Sequence, residues 1–414
     1  MRVESPPPKR VFPRGDYMAA TFSAKNPYSS KISENKLLNG EGATKETRHL
    51  VFDLPDEGLE YKVGDALGVI GENPAQTVED ILVCTGWDGQ MQVTTHNGEK
   101  SLRHALLTDV EIHRVTKKFI NSLLDKIPEE RGVMSARITS RSRSSVSGGE
   151  DNYWNWSGES DDWPDNYPSI SQGSSPRAIV ENLTEDAEAM ENYIWSRDYI
   201  DVIEQFGVLH SPEELLGLAD KLKPRLYSIA SSLDAHPGKV ELTVAIVRYE
   251  HHDRLRGGLC TVYMADEVEV DKTPVGIFIS PTKSFVLPAD KSTDIIMVGP
   301  GTGIAPFRAF LEQREFDSGD GRNWLFFGDQ SEKTEYYYSE QIESWLKNGT
   351  LYKYTTAWSR DQAEKIYVQH RMVENGEEIW QWLSNGAYFY ICGDKTYMAK
   401  DVHKALIQIA QDHG

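Results

Sequence analysis

Two patterns of hydrophobic and polar positions divide the chain. Between residues 49 and 70, and again after Pro224, short segments rich in branched and aromatic residues, such as Arg225–Ala230 and Val240–Val247, predict β-strands. From about residue 292, apolar runs that end in glycine, such as Ile295–Gly299 and Trp324–Gly328, alternate with helical stretches. That alternation is typical of βαβ units and predicts a parallel sheet in the C-terminal part.

A helical region is predicted between the two β-rich segments. Apolar residues recur at helical spacing from Asn73 to Cys84 and from Thr184 to Phe206. Between them, residues 140–175 contain eleven serines and few aliphatic residues. Such a segment buries too little apolar surface to offset its ordering entropy, so we expect it to be disordered or loosely packed. Its tryptophans, Trp154, Trp156 and Trp163, could dock on the body of the protein or on a partner.

Composition narrows the class of protein. The 414 residues carry 44 Lys+Arg and 64 Asp+Glu, a formal charge of −20, which argues against nucleic acid as a partner. No apolar run is long enough for a membrane span and no signal peptide is evident, so a soluble, cytoplasmic protein is expected. The three cysteines, Cys84, Cys260 and Cys392, do not form a metal motif. We therefore expect no metal site, and an organic cofactor would have to carry any redox chemistry.

The strongest motif is the run Gly299–Arg308, which follows an apolar strand and opens a helix. Glycines such as Gly301 and Gly303 let the backbone approach a pyrophosphate, and the helix N-terminus supplies N–H donors. Taken alone, the run could also be an ordinary tight turn between a strand and a helix. Thr302 lies within it, and the motif predicts a dinucleotide site.

A second group of residues has the chemistry that a flavin needs. Arg225 offers a charge for the cofactor pyrophosphate, Tyr227 a flat face for the ring and Ser228 a hydroxyl near the reactive edge. Some thirty residues later, the turn Gly258–Thr261 offers backbone donors for phosphate. Spacing alone does not separate this group from an ordinary strand and turn.

These motifs together resemble the ferredoxin–NADP reductase superfamily. With Arg225–Ser232, Asn323–Gly328, Ala357–Gln362 and Lys365–Gln369, the chain is most similar to the FAD/NADPH half of the diflavin reductases, and among them to the flavoproteins of NADPH sulfite reductases. The resemblance runs from about Lys25 to the last residue, apart from the Ser-rich segment. It implies an antiparallel β-barrel FAD domain with a helical insertion, followed by a doubly wound α/β domain for NADP.

The resemblance also implies domain limits and site residues. The expected order is a basic arm (residues 1–19), an FAD domain (20–291) with a helical insertion (about 72–220), and an NADP domain (292–414). The residues implied for FAD are Arg225, Leu226, Tyr227, Ser228, Thr243, Val244, Ala245, Tyr249, Gly258, Leu259, Cys260 and Thr261. Those implied for NADP are Gly301, Thr302, Gly303, Ser359, Arg360, Lys365, Ile366, Tyr367, Val368, Gln369 and Asp401.

Physical chemistry supports the choice of NADP over NAD. Arg360, Lys365 and hydroxyl donors lie within eleven residues and suit a phosphate dianion, whereas NAD would favour an acidic residue on the ribose. The alternative is a solvated charged loop, since Asp361 and Glu364 stand among them.

The resemblance assigns catalytic positions to Ser228 and Cys392. On its own, Cys392 would be a small buried hydrophobic residue at the end of an apolar strand. In the family, the matching thiol lies beside the nicotinamide carbon that gives up the hydride. Ser228 and Cys392 would then position the nicotinamide over the flavin.

The expected function is hydride transfer from NADPH to FAD and delivery of electrons to a separate acceptor protein. The leading hypothesis is a reductase that feeds electrons to a sulfite reductase hemoprotein. The alternative is that the chain is a ferredoxin– or flavodoxin–NADP reductase or a cytochrome reductase. A scaffold that binds no FAD is a third possibility. The family has an FMN domain before this region and a flavin-covering aromatic residue after it, and neither is expected in this sequence.

Overall fold

The computed structural model describes residues 22–128, 175–252 and 254–414. The strands in these ranges are β1 (Tyr28–Leu37), β2 (Glu46–Asp53), β3 (Ala66–Ile70), β4 (Gln92–Thr95), β5 (Gly98–Ser101), β6 (Arg225–Ser228), β7 (Lys239–Ile246), β8 (Arg248–His251), β9 (Arg254–Gly257), β10 (Pro274–Ser280), β11 (Ile295–Val298), β12 (Asn323–Asp329), β13 (Lys353–Trp358) and β14 (Tyr388–Ile391).

The helices occupy three parts of the chain. In order they are α1 (Ala75–Thr85), α2 (Leu102–Thr108), α3 (Lys117–Lys126), α4 (Pro176–Glu185), α5 (Ala187–Trp195), α6 (Tyr199–Phe206), α7 (Pro212–Leu218), α8 (Leu259–Val262), α9 (Ala305–Asp317), α10 (Glu332–Glu335), α11 (Ser339–Asn348), α12 (Val368–Glu374), α13 (Gly376–Ser384) and α14 (Met398–His413). A π-helical turn, Tyr263–Glu267, continues α8, and a 3₁₀ turn, Gly301–Ile304, precedes α9.

The N-terminal domain is an antiparallel barrel. Its six strands are ordered β6-β3-β10-β1-β2-β7, and every neighbouring pair is antiparallel. A bridge between Ile229 and Leu242, with the Ala230 N–H donating to the Glu241 carbonyl at 2.7 Å, joins the two edge strands β6 and β7. Because these edges meet, the sheet closes into a barrel, and the predicted fold of this domain is confirmed.

The C-terminal domain has a parallel sheet covered on both faces. Its strands are ordered β13-β12-β11-β14 and all pairs are parallel. Every residue of β11 is buried, because α9 and α11 pack on one face and α12, α13 and α14 on the other. Burial on both faces explains the continuous apolar runs in the sequence, and the predicted doubly wound domain is confirmed.

Helices α1 to α7 lie between β3 and β6 along the chain and form a core of their own. Phe119 and Tyr199, both buried, meet edge to face with ring centroids 4.7 Å apart. Side chains at the N-termini hold these helices in place: Thr116 accepts from the Phe119 N–H at 3.1 Å, and Asp198 and Asp201 form a capping box at α6. The helical insertion therefore folds around its own apolar face.

The basic arm of residues 1–19 and nearly all of the Ser-rich segment, with Trp154, Trp156 and Trp163, lie outside the described residues. Ser175, at the end of that segment, caps α4 by accepting from the Ala178 N–H at 3.2 Å. In the described ranges, none of the helices combines the length and the hydropathy that crossing a bilayer requires.

Candidate active site at the domain interface

A glycine turn follows β11 at the carboxyl edge of the parallel sheet. Gly301 has φ +57°, and a Cβ on Gly299 would lie 2.4 Å from the Gly303 carbonyl oxygen. A Cβ on Gly303 would lie 2.2 Å from the carbonyl oxygen of Cys392 at the end of β14. The turn is therefore tight enough to require glycine, and it leads directly into α9, whose N-terminus has no side-chain cap. The donors here are the N–H groups of Gly301 and Thr302 at the start of the 3₁₀ turn that precedes α9, since Gly303 donates to the Pro300 carbonyl at 2.9 Å and Ala305 to the Thr302 carbonyl. N–H groups at such a start fit the pyrophosphate of a dinucleotide.

The residues predicted to bind the 2′-phosphate follow β13, at the same edge. The backbone N–H of Ser359 donates to the Asp329 carbonyl at 2.9 Å, and that of Arg360 donates to the Gln330 carbonyl at 2.8 Å. These bonds fix the start of the loop, while the side chains of Arg360 and Lys365 are exposed. Two cations at the carboxyl edge of the parallel sheet, the edge that also carries the glycine turn, are donors that fit a phosphate dianion.

The remaining positions implied for NADP lie around this loop. Ile366, Tyr367 and Gln369 are partly buried, and Val368 packs in the core beneath the sheet. Asp401 lies in the first turn of α14 and accepts a hydrogen bond from Lys404 Nζ at 2.8 Å.

The structure brings Ser228 and Cys392 together from the two domains. Ser228 ends β6 of the barrel, Cys392 follows β14 of the parallel sheet, and the two side chains lie close enough for Ser228 to influence the pKa of the Cys392 thiol. Burial raises the pKa of the Cys392 thiol, and the contact with Ser228 acts in the opposite direction. A protonated thiol and a hydroxyl thus meet where the barrel contacts the parallel-sheet domain, next to the glycine turn.

The residues implied for the flavin pyrophosphate and ring also lie together. Tyr227 lies beside Cys260 in the first turn of α8 and acts to lower the pKa of its thiol, but burial outweighs this and raises that pKa to about 11. The charge of Arg225 reaches Cys260, while one of its nitrogens donates to Glu111 Oε1 at 2.9 Å. The turn holds its own shape, since Thr261 Oγ1 donates to the Gly258 carbonyl at 3.0 Å.

This arrangement suits a flavin dinucleotide. Leu259, Cys260 and Thr261 begin a helix, so their N–H groups have no intrahelical acceptor. A guanidinium, free backbone donors and an aromatic ring in one place are the groups that bind a pyrophosphate beside a flat ring. Leu226, which is 57% exposed, lies between Arg225 and Tyr227 on the open edge of the barrel.

The strand-side residues implied for FAD have different surroundings. Val244 packs in the barrel core, Ala245 is half-buried, and Tyr249 on β8 is 42% exposed. Thr243 Oγ1 is hydrogen-bonded at 2.7 Å to the hydroxyl of Tyr338, which belongs to the other domain. Thr243 therefore contributes to the contact between the domains.

A buried ionic network joins the domains behind the site. Arg308 of α9 donates to the Ala230 carbonyl at 2.7 Å and to Glu241 Oε2 at 2.5 Å, and it pairs with Glu312 at 2.9 Å. His236 lies 3.1 Å from Glu312, and this contact raises the pKa of the imidazole. His236, Glu241 and Glu312 are spaced as a metal site would require, but Arg308 already places a positive charge against both glutamates.

The sequence did not identify this network. Its members come from β7, α9 and the segment after β6, and only the spacing of Arg308 and Glu312, four residues apart on one helix, was a possible signal. His49 also contacts Glu241, at 3.5 Å, and burial together with the charge of Arg308 lowers the pKa of His49 to about 4.

Comparison with known proteins agrees with the two domains. A family model described as FAD binding domain matches residues 20–130 and 175–263, and one described as oxidoreductase NAD-binding domain matches residues 297–404.

Similar proteins include the sulfite reductase [NADPH] flavoprotein alpha-component of Bacillus subtilis, which is 37% identical over 398 residues, or 95% of this chain and 58% of the relative. The proteins of the same name from Mannheimia succiniciproducens and Vibrio cholerae are each 35% identical, over 96% and 95% of this chain and 58% and 56% of their own lengths.

The chain spans somewhat more than half the length of these relatives. The similarity covers both domains: five of the six barrel strands, all but β10, lie in the range of the FAD binding model, and β12, β13 and β14 of the parallel sheet lie in that of the NAD-binding model. The chain therefore has an FAD binding domain and an oxidoreductase NAD-binding domain, joined in a fold like that of the ferredoxin–NADP reductases.

Proposed function

We propose that the chain is an NADPH-dependent flavoprotein reductase that passes electrons to a separate hemoprotein in sulfite reduction. The observation that carries this proposal is the contact between Ser228 and Cys392, which joins the flavin side of the barrel to the end of β14. The names of the relatives support sulfite reduction, because each is the flavoprotein component of an NADPH sulfite reductase. A cytoplasmic location is part of the same proposal.

When bound, NADPH supplies a hydride and FAD accepts it and passes the electrons on. The protein's own residues act by position and charge. Ser228 and Cys392 would position the nicotinamide beside the flavin, and burial raises the pKa of the Cys392 thiol, which keeps it protonated and uncharged. The glycine turn Gly299–Gly303 holds the pyrophosphate with backbone N–H groups. Arg360 and Lys365 hold the 2′-phosphate.

Cys392→Ala tests the proposed site. We expect stopped-flow reduction of the flavin by NADPH to be slower in this variant, because the nicotinamide loses a neighbour that positions it. The primary isotope effect with C4-deuterated NADPH should rise, since hydride transfer then limits the rate more strongly. Flavin released by heat should be FAD in the same amount as in the parent protein. Ser228→Ala should act alike and could also loosen FAD.

Two results would contradict the assignment. Reduction of the flavin by Cys392→Ala at the parent rate would show that the thiol is a packing residue. Loss of FAD from this variant would show that the thiol supports the fold of the flavin site. Cys84→Ala is a matched control, because Cys84 lies in α1 of the helical insertion and its thiol donates to the Ile81 carbonyl at 3.3 Å. It should reduce flavin normally.

Arg360→Ala tests the preference for NADPH. A charge-assisted contact of this kind contributes about 1.5 to 3 kcal/mol, so kcat/KM for NADPH should fall at least about tenfold while that for NADH changes little. Steady-state reduction of ferricyanide with both nucleotides measures this difference. Equal losses with NADPH and NADH would show that Arg360 acts on folding or on general binding.

The acceptor is tested separately. With a sulfite reductase hemoprotein added, NADPH oxidation should become coupled to sulfide formation. Coupling to ferredoxin or flavodoxin and not to the hemoprotein would replace the sulfite proposal by that of a ferredoxin– or flavodoxin–NADP reductase.

A further inference from the structure

An acidic residue stands where dinucleotide-binding folds place their ribose-binding acid. Asp329 ends β12, the second strand of the domain, between the glycine turn after β11 and the phosphate loop after β13. In such folds an acid at this place binds a free ribose hydroxyl and favours NAD over NADP. Asp329 thus favours NAD, whereas Arg360 and Lys365, in the loop after the neighbouring strand β13, favour NADP.

The geometry of Asp329 fits a ribose contact. Its side chain is 2% exposed, and Oδ1 accepts from the Gln330 N–H at 2.7 Å and pairs with Lys45. Oδ2 has no hydrogen-bond partner among the described residues. A Cβ on Gly301 would lie 3.7 Å from this oxygen, so Oδ2 faces the glycine turn. A buried carboxylate oxygen without a donor is costly, and a ligand hydroxyl at the turn would satisfy it.

Lys45 reaches Asp329 from the other domain. It lies in the loop between β1 and β2 of the barrel, and its side chain is 21% exposed. The loop is fastened to the NAD-binding domain by Thr44 Oγ1, which donates to Gln330 Oε1 at 2.6 Å, and by the Gly40 N–H, which donates to the Thr334 carbonyl at 2.8 Å. These bonds keep the ammonium of Lys45 beside Asp329.

The ion pair of Lys45 with Asp329 makes the ribose position less negative. Without Lys45, the buried charge of Asp329 would repel a phosphate on the neighbouring ribose oxygen. Glu335 is a second acid that Asp329 influences: it is fully buried, and burial together with the charge of Asp329 raises its pKa. Lys45 is the cation that offsets both acids, and its charge lowers the pKa of Glu335.

We propose that Lys45 is a specificity-determining residue for NADPH, acting by neutralising Asp329, while Asp329 Oδ2 accepts a hydrogen bond from a ribose hydroxyl of the dinucleotide. The proposal rests on the proposed NADPH function. It assigns part of the nucleotide choice to the barrel domain, because the cation that makes a 2′-phosphate acceptable comes from the loop between β1 and β2.

Calorimetry with two adenosine fragments tests the role of Lys45. Adenosine 2′,5′-bisphosphate carries the 2′-phosphate, whereas ADP has a free 2′-hydroxyl. In Lys45→Met, the Kd for adenosine 2′,5′-bisphosphate should rise about tenfold, and the Kd for ADP should stay unchanged or fall. Lys333→Met is the matched control, since Lys333 is an exposed cation in α10 of the same segment; neither Kd should change.

A second variant separates charge from structure. Asp329→Asn removes the repelling charge, so Lys45→Met/Asp329→Asn should bind adenosine 2′,5′-bisphosphate more tightly than Lys45→Met alone. The single Asp329→Asn variant should bind ADP more weakly if the adenosine ribose is the donor. Weaker binding of NADP⁺ with unchanged ADP would assign the hydroxyl to the nicotinamide ribose instead.

Other outcomes overturn the proposal. If Lys45→Met raises the Kd for both fragments equally, Lys45 only fastens the domains together. If neither Kd changes, Lys45 has no part in binding. Unchanged binding of ADP and NADP⁺ in Asp329→Asn would remove the ribose contact. A parent chain that binds both fragments equally would overturn the NADPH preference itself and this proposal with it. If the parent chain binds adenosine 2′,5′-bisphosphate more tightly than ADP and Lys45→Met keeps that preference, the role of Lys45 is overturned while the NADPH preference stands.

Discussion

Arg308→Ala is expected to lower the free energy of unfolding by about 3 to 5 kcal/mol, because it leaves Glu241 and Glu312 buried without their cation. Arg308 is 7% exposed, and the two glutamates are 6% and 3% exposed. Its guanidinium also donates to Gln341 Oε1 at 2.7 Å and lies over the ring of Tyr338, 4.7 Å from the centroid. Denaturant unfolding followed by tryptophan fluorescence measures the change.

Arg322→Ala is the control for this prediction. Arg322 pairs with Asp294 at 2.6 Å, but its side chain is 41% exposed, so its loss should cost less than about 1 kcal/mol. If Arg308→Ala and Arg322→Ala lower the free energy of unfolding equally, the buried network contributes no more to stability than an exposed ion pair. If Arg308→Ala keeps the parent stability, the two glutamates take up protons or water at little cost and the network does not hold the domains together.

Gly303→Ala is expected to raise the Kd for NADP⁺ at least about a hundredfold while FAD content stays normal. The new Cβ would lie 2.2 Å from the Cys392 carbonyl oxygen, so the glycine turn or the end of β14 must move. Both neighbours are backbone, and a displacement of about 1 Å at a binding site can cost that much. Isothermal calorimetry with NADP⁺ measures the loss, and heat-released flavin measures FAD.

Gly217→Ala is the matched control for Gly303→Ala. A Cβ on Gly217 meets no atom within 4 Å, and the residue lies in α7 of the helical insertion. This variant should bind NADP⁺ as the parent does and be slightly more stable, by up to about 1 kcal/mol. Normal NADP⁺ binding by Gly303→Ala would show that the turn tolerates a side chain and that its shape does not define the pyrophosphate site.

The sequence determined the elements of both domains because their patterns are local. Apolar runs that end in glycine predicted the parallel strands β11, β12 and β14, and alternating β-rich segments predicted strands of the barrel. The glycine turn was likewise readable at Gly299, where a Cβ would meet Gly303 and Phe307 a few residues on. At Gly303 the need for glycine comes from the Cys392 carbonyl, which only the fold brings there. The FAD and NADP chemistry followed from the resemblance, which these motifs carry.

The tertiary structure decided which residues meet across the domains, except for Ser228 and Cys392, which the resemblance had already assigned to one site. Ser228 and Cys392 lie 164 positions apart, Lys45 and Asp329 lie 284 apart, and Arg308 lies 67 from Glu241. Such pairs leave no periodic signal, because their contacts depend on how the closed barrel packs against the domain of the open parallel sheet. The sequence marked Thr243 as a flavin contact by resemblance, whereas its bond to Tyr338 follows from that packing. Charges that are solvated in the unfolded chain become partners only when folding removes the water between them.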